Sequence, residues 1–150
     1  MNEYRIEKLR RPLAVVLRDG QRLEGEVFLR PVSRHRPRPE EPAELLNDPD
    51  PFFAFVTGGQ ALLVAKANVA RAETHAADDT FDLGPLGVTV ELTFTDGSVC
   101  GGSIFLETPS DRPRLLDFLN GYRPRFLPVV DAAQVLLVNT QTIAHVREVA

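Results

Sequence analysis

Apolar residues alternate with polar ones over short runs along most of this chain, and the runs predict strands. Leu13, Val15 and Leu17 alternate before Asp19-Gly20, and the alternation resumes after it. Asp-Gly tolerates the positive φ of a tight turn, so a hairpin is expected, with strands at about 12–18 and 21–30. The pattern returns more cleanly at Val88, Val90, Leu92 and Phe94, with Thr89, Glu91, Thr93 and Thr95 on the other face, ahead of Asp96-Gly97. Two helices interrupt the strands. Pro42 opens a short one at 42–47, and Ser110 or Asp111 caps a second that carries Leu115, Leu116 and Leu119 at helical spacing, with Phe118 beside them, and stops at Gly121. Strands follow each helix: 52–57, 61–65 and 69–73 in the first half, 125–130, 135–139 and 143–147 in the second. Tight connections fall at Gly58-Gly59, 66–68, 131–132 and 140–142. Each half reads β-β-α-β-β-β, and residues 1–11 carry no clear pattern.

The two halves also match residue by residue. Gln60-Ala61-Leu62-Leu63-Val64 answers Gln134-Val135-Leu136-Leu137-Val138, 74 positions on, and Leu45-Leu46-Asn47 answers Phe118-Leu119-Asn120. Gly25 and Gly102 each lie five residues past a turn glycine, where a bulge or sharp bend is expected. The pattern implies an internal duplication, with one unit at 12–73, a linker at 74–85 and a second unit at 86–148. Units of this size bury little apolar surface alone, so the two should share an interface. An approximate two-fold rotation between them is expected, with packing across the apolar outer strands. Phe28 and Phe105 sit on the face opposite their apolar neighbours, and the following helix is the natural cover.

Composition narrows the class. Of 150 residues, 43% are hydrophobic and the net charge is −4. An acidic chain is a poor ligand for nucleic acid or anionic membrane at large. A single cysteine, Cys100, excludes an intramolecular disulfide and suits a reducing compartment, and no apolar run nears the ~20 residues of a membrane helix. A cytoplasmic location is expected.

Reactive chemistry is scarce. His75 with Asp78, Asp79 and Asp82 offers metal-ligand types, but a solvated acidic linker accounts for them, and no metal or cofactor is expected. Cys100 lies on a predicted strand with no histidine nearby in sequence, His145 on the last strand, and Asp117 and Asn120 one turn apart on a helix. None forms a catalytic constellation, so no enzyme is expected. One feature has no copy in the second half: Arg30, Arg34, His35, Arg36 and Arg38 in a proline-rich loop, read as extended, either a solvated insertion or a docking loop for an acidic or phosphate-bearing partner.

Leu17-x-Asp19-Gly20 with Gly25 and Val27, and Phe94-x-Asp96-Gly97 with Gly102 and Ile104, resemble the first signature of Sm-like (LSm) proteins. The stretch from Val138 to Val146 is similar in spacing to their second. The run from Arg114 to Val129 also resembles an uncharacterised bacterial family. The Sm likeness implies a mainly β fold with short helices: two tandem, strongly bent five-strand barrels. In that family RNA contact comes largely from an Asp/Asn segment and an Arg-Gly pair. This chain has Asn139-Thr140 and Ala65-Lys66 in place of Arg-Gly, and a helix in place of the Asp/Asn segment. The expected function is therefore a protein-interaction or assembly module binding a protein partner or itself, with RNA binding the disfavoured alternative. Phe28, Phe105, Leu115, Phe118, Leu119, Val135 and Leu137 are the candidate interface residues, because strands such as 135–138 are apolar on both faces.

Overall fold

The computed structural model describes residues 9–75, 86–106, 115–132 and 134–149. The first half runs β1 (Leu9–Leu17), β2 (Arg22–Leu29), α1 (Pro42–Asn47), β3 (Phe52–Thr57), β4 (Gln60–Ala65) and β5 (Val69–His75). The second runs β6 (Leu86–Phe94), β7 (Val99–Leu106), α2 (Leu115–Gly121), β8 (Phe126–Asp131), β9 (Gln134–Asn139) and β10 (Ile143–Glu148). A single 3-10 turn joins β4 to β5 and another joins β9 to β10. The chain is mainly β with short helices, as the alternation predicts. The expected cap at Ser110 or Asp111 lies outside the described residues, as does most of the expected linker; Thr74 and His75 belong to β5.

Both opening hairpins are set by their turn chemistry. Asp19 Oδ1 accepts from the Gln21 N–H and Asp96 Oδ1 from the Ser98 N–H, each at 2.9 Å, while Gly20 and Gly97 take φ near +90°. Backbone bonds Leu17 to Gln21 and Phe94 to Ser98 close three-residue loops, in which the glycine takes the left-handed position. The two hydrogen bonds from Ser98 hold the Asp96 carboxyl below its ordinary range.

The strands form one open sheet, in the order β10-β6-β7-β8-β9-β5-β1-β2-β3-β4. The sheet is not closed, so the two tandem five-strand barrels that the resemblance implies are not seen as closed barrels. Each half occupies one side of the sheet and contributes its strands in the same order. The junction is also not the expected two-fold contact of like with like. β5, the last strand of the first half, pairs antiparallel with β9, the fourth of the second, setting Ala72 opposite Leu137 and Thr74 opposite Val135. β9 fits there because it is apolar on both faces, so its residues alternate between two cores. Val135 and Leu137 enter a first-half cluster built on Val15, Val27, Leu46 and Phe55, while Leu136 and Val138 face a second built on Leu92, Ile104, Leu106 and Val129.

Gly25 and Gly102 do not mark bulges. The β1–β2 and β6–β7 ladders pass through them without a register shift. A Cβ on Gly25 would lie 2.0 Å from the Val56 carbonyl oxygen, and one on Gly102 2.7 Å from that of Val130. The glycines are there because the third strand of each half crosses at that point. The shifts fall at Ala70 and Ala144, skipped between Val69 and Arg71 against β1 and between Ile143 and His145 against β6. The helices do cover the cores, with Leu46 buried over the first cluster and Leu115, Phe118 and Leu119 half-buried over the second.

Candidate interaction surface

An open sheet presents two edges, and here they are β4 and β10. Among the described residues no strand pairs with the outer side of either. β4 reads QALLVA, with no charge and no proline. Natural edge strands usually carry such residues to discourage pairing with another chain, so β4 is an unprotected edge. Leu63 at its middle is 77% exposed, and Phe52 on the adjoining β3 is 57% exposed. β10 reads IAHVRE, with Ala144, His145, Arg147 and Glu148 exposed.

The sheet's internal seam shows what such strands look like when covered. Phe126 and Leu137 are both 0% exposed. The seam is fastened by polar side chains as well as by apolar burial. Asn47, the last residue of α1, accepts from the Phe126 N–H through Oδ1 at 2.8 Å and donates to the Phe126 carbonyl through Nδ2 at 3.2 Å. The Tyr122 hydroxyl donates to the same carbonyl at 2.7 Å, and burial pushes its pKa up to about 12. Asn139, fully buried, donates to the Val69 carbonyl at 2.9 Å, and the Thr142 hydroxyl lies 3.3 Å from the Ala70 carbonyl. Within the first half, Arg22 on β2 meets Glu73 on β5 at 2.8 Å and Glu24 at 3.3 Å.

The residues singled out from sequence fall into three groups. Val135 and Leu137 are interface residues, but of the internal seam. Leu115, Phe118 and Leu119 lie half-buried along α2, with Leu116 exposed beside them. Phe28 and Phe105 are also half-buried, on the sheet face away from the core, and the Arg10 guanidinium sits 5.0 Å above the Phe28 ring. Their expected cover by the helix is replaced by this cation and, for Phe105, by packing against Gly87. Asn47, Asn139, Thr142, Phe52 and Leu63 were not singled out as site residues. The one available signal for Asn47 was its recurrence as Asn120.

The arginine loop is folded rather than extended. Ser33 N–H donates to the Arg38 carbonyl at 2.7 Å, and the Arg30 carbonyl accepts from the Glu40 N–H at 2.9 Å. Arg36 is half-buried, 2.8 Å from Glu41 and also paired with Glu44, which raises its pKa, with the Glu44 hydrogen bond the leading cause. The glutamates at the start of α1 supply the counter-charge that lets the loop fold back. Arg30, Arg34, His35 and Arg38 face solvent.

Other candidates are placed as follows. Cys100 is half-buried, and burial pushes its thiol up, away from nucleophilic character. His145 is exposed on β10, and Asp117 and Asn120 are exposed on α2. Asp78, Asp79 and Asp82 lie outside the described residues, so the metal reading has no geometry to meet. Lys66, at the place of the Sm-like Arg-Gly pair, is buried and bonded to Asp48 at 2.5 Å. Its second-half counterpart, Thr140, donates its N–H to the Arg125 carbonyl at 2.9 Å. Among the described residues no helix is long and apolar enough to cross a membrane. Comparison with protein-family profiles, curated proteins and solved structures found no match to this chain.

Proposed function

We propose that this chain is a non-enzymatic assembly module made of two tandem Sm-like units that arose by internal duplication, and that it works by strand addition at its open edges. The observation that carries this is β4, an apolar edge strand without a protecting charge or proline, whose Leu63 stands in solvent. The residue-by-residue match between the halves, at offsets of 77 at the Asp-Gly turns, 73 at the helices and 74 at the strands after them, and their shared strand order support the duplication. Capture from bacterial extract on the immobilised chain tests the edge reading. Proteins retained, further copies of the chain included, should be lost with Leu63→Glu. An empty capture, or the same set with the variant, would reject it. RNA binding, the competing reading, leans on solvent-facing Arg30, Arg34 and Arg38. Filter binding to single-stranded RNA at physiological salt should show negligible affinity. A sub-micromolar (on the order of 10⁻⁷ M) affinity that falls steeply with salt would favour RNA instead.

A further inference from the structure

The arginine loop between β2 and α1 sorts its charges by sign. The three glutamates that follow it turn inward. Glu40 Oε1 accepts from the Arg30 N–H at 3.1 Å, Glu41 pairs with Arg36 at 2.8 Å, and Glu44 holds both Arg36 and the Ser33 hydroxyl. The Ser33 oxygen in turn accepts from the His35 N–H at 3.0 Å, and Ser33, Glu40 and Glu41 are buried. The middle of the loop is therefore fastened to the start of α1. Arg30, Arg34, His35 and Arg38 are left on the outside, and none of these three arginines has a carboxylate partner among the described residues.

Like charges on one short segment repel, and a segment that only needed solvation would relieve this by staying extended. Here the chain does the opposite. Buried glutamates and a buried serine hold the loop folded, and the only arginine they neutralise is Arg36. The outer arginines are thus displayed on an ordered support, which lowers the entropy cost of meeting a partner.

The loop also indicates the chemistry of that partner. Val32 is 65% exposed among the arginines, and Pro31, Pro37 and Pro39 are exposed beside it, so the surface offers apolar contact between its cations. A phosphate backbone has no use for such contact, and residues 30–40 hold no Phe, Tyr or Trp on which a base could stack. Residues 74–150 carry twice as many acidic as basic side chains, which repels a long polyanion more than a short one. We infer that the loop is a docking site for a short acidic segment of a protein partner, whose carboxylates meet Arg30, Arg34 and Arg38 while an apolar side chain covers Val32. Guanidinium and carboxylate match in bidentate hydrogen bonds. The site lies on the 30–40 connection and does not depend on the open edge at β4.

Fluorescence anisotropy on the intact chain tests the inference, with a labelled peptide of glutamates around one central leucine as the probe. The wild type should bind it saturably at physiological salt, and about fourfold more weakly when the peptide's leucine is replaced by serine, the effect of burying about one CH₂ group. Arg30→Gln, Arg34→Gln and Arg38→Gln combined should weaken binding about tenfold, at about twofold for each exposed ion pair, and should leave the melting temperature in place because all three side chains are exposed. Glu44→Ala separates a built site from a bare charge. It removes a negative charge beside the loop, so charge alone would tighten binding, whereas release of Ser33 and Arg36 should weaken it; weaker binding is the expected result. Leu63→Glu should bind the peptide as the wild type does. The absence of saturable binding, full binding by the triple variant, or tighter binding by Glu44→Ala would overturn the inference. So would single-stranded RNA of equal length binding more tightly than the peptide. Loss of the peptide with Leu63→Glu would place it on the edge strand, which overturns the loop site and leaves the edge reading standing.

Discussion

β4 and β9 differ at two of six positions, QALLVA against QVLLVN, and have opposite fates. Five of the six residues of β9 are buried, whereas β4 buries only Val64. The difference is not intrinsic to the strands. Each is paired on one side with its own hairpin partner, and only β9 has β5 on the other. A sequence apolar on both faces thus marks a strand built to be covered twice, and at β4 the second cover is missing among the described residues.

The sharpest way to break this comparison is to place the same charge on both strands. Leu137→Glu would bury a carboxylate at a fully covered site and should cost about 4 kcal/mol or more, enough to unfold the chain. Leu63→Glu should leave the thermal midpoint of the monomer within the scatter of surface changes, about ±0.5 kcal/mol. Parallel melts by circular dichroism decide it, and equal losses would mean that β4 is already covered in the single chain.

A second pair compares the crossings at the two glycines. Gly25→Ala should destabilise by about 3 kcal/mol, because the new methyl meets a backbone carbonyl that only a shift of β3 can clear. Gly102→Ala also meets a backbone carbonyl, that of Val130, but at 2.7 Å rather than 2.0 Å, so a smaller shift of β8 clears it and the change should cost less. Denaturant midpoints that reverse this order would show that the crossing at β7 is the tighter one.

The third pair concerns the clamps. Asn47→Ala strips the buried Phe126 N–H of its partner and should cost about 1–3 kcal/mol. The loss falls on the N–H because Tyr122 continues to serve the carbonyl. Asn120→Ala removes a side chain exposed in the single chain, so chemical denaturation of dilute protein should not register it. A comparable loss for Asn120→Ala would end the contrast.

Much of this architecture could be read from sequence, because local chemistry dictated it. Asp-Gly fixed both hairpins, Pro42 fixed the start of α1, and the apolar runs placed β3, β4 and β9 to within a residue. The seam was legible only as a surplus of apolar surface at Val135 and Leu137. Periodicity shows that a strand must be covered but not by what, and the covering strand is more than 60 residues away in the chain. The folding of the arginine loop was hidden for a related reason. Prolines and like charges within 30–38 argue for extension, and the glutamates that overrule them belong to the next element. Of the bulge or sharp bend expected at Gly25 and Gly102, the bulge is absent, and the reason for the glycines was hidden because a carbonyl from another strand leaves no trace in the local pattern.

The smallest contrast lies at the turns that lead into β4 and β9. β3 passes to β4 through Gly58 and Gly59, with φ of 56° and 78°, whereas the turn after β8 places Ala132 at 51°, the one positive φ on a non-glycine residue among those described. An L side chain in this region crowds the following carbonyl by about 1–2 kcal/mol, and glycine relieves that at the cost of a more flexible unfolded chain. Ala132→Gly should therefore raise stability by a net of about 0.5–1 kcal/mol, or roughly 1–4 °C in midpoint for a chain of this length. The reverse change, Gly58→Ala, should lower it by a similar amount, since a Cβ there meets nothing within 4 Å and only the backbone conformation opposes it. A midpoint lowered by Ala132→Gly would mean that the turn before β9 carries no strain, and that the two turns differ in sequence but not in energy.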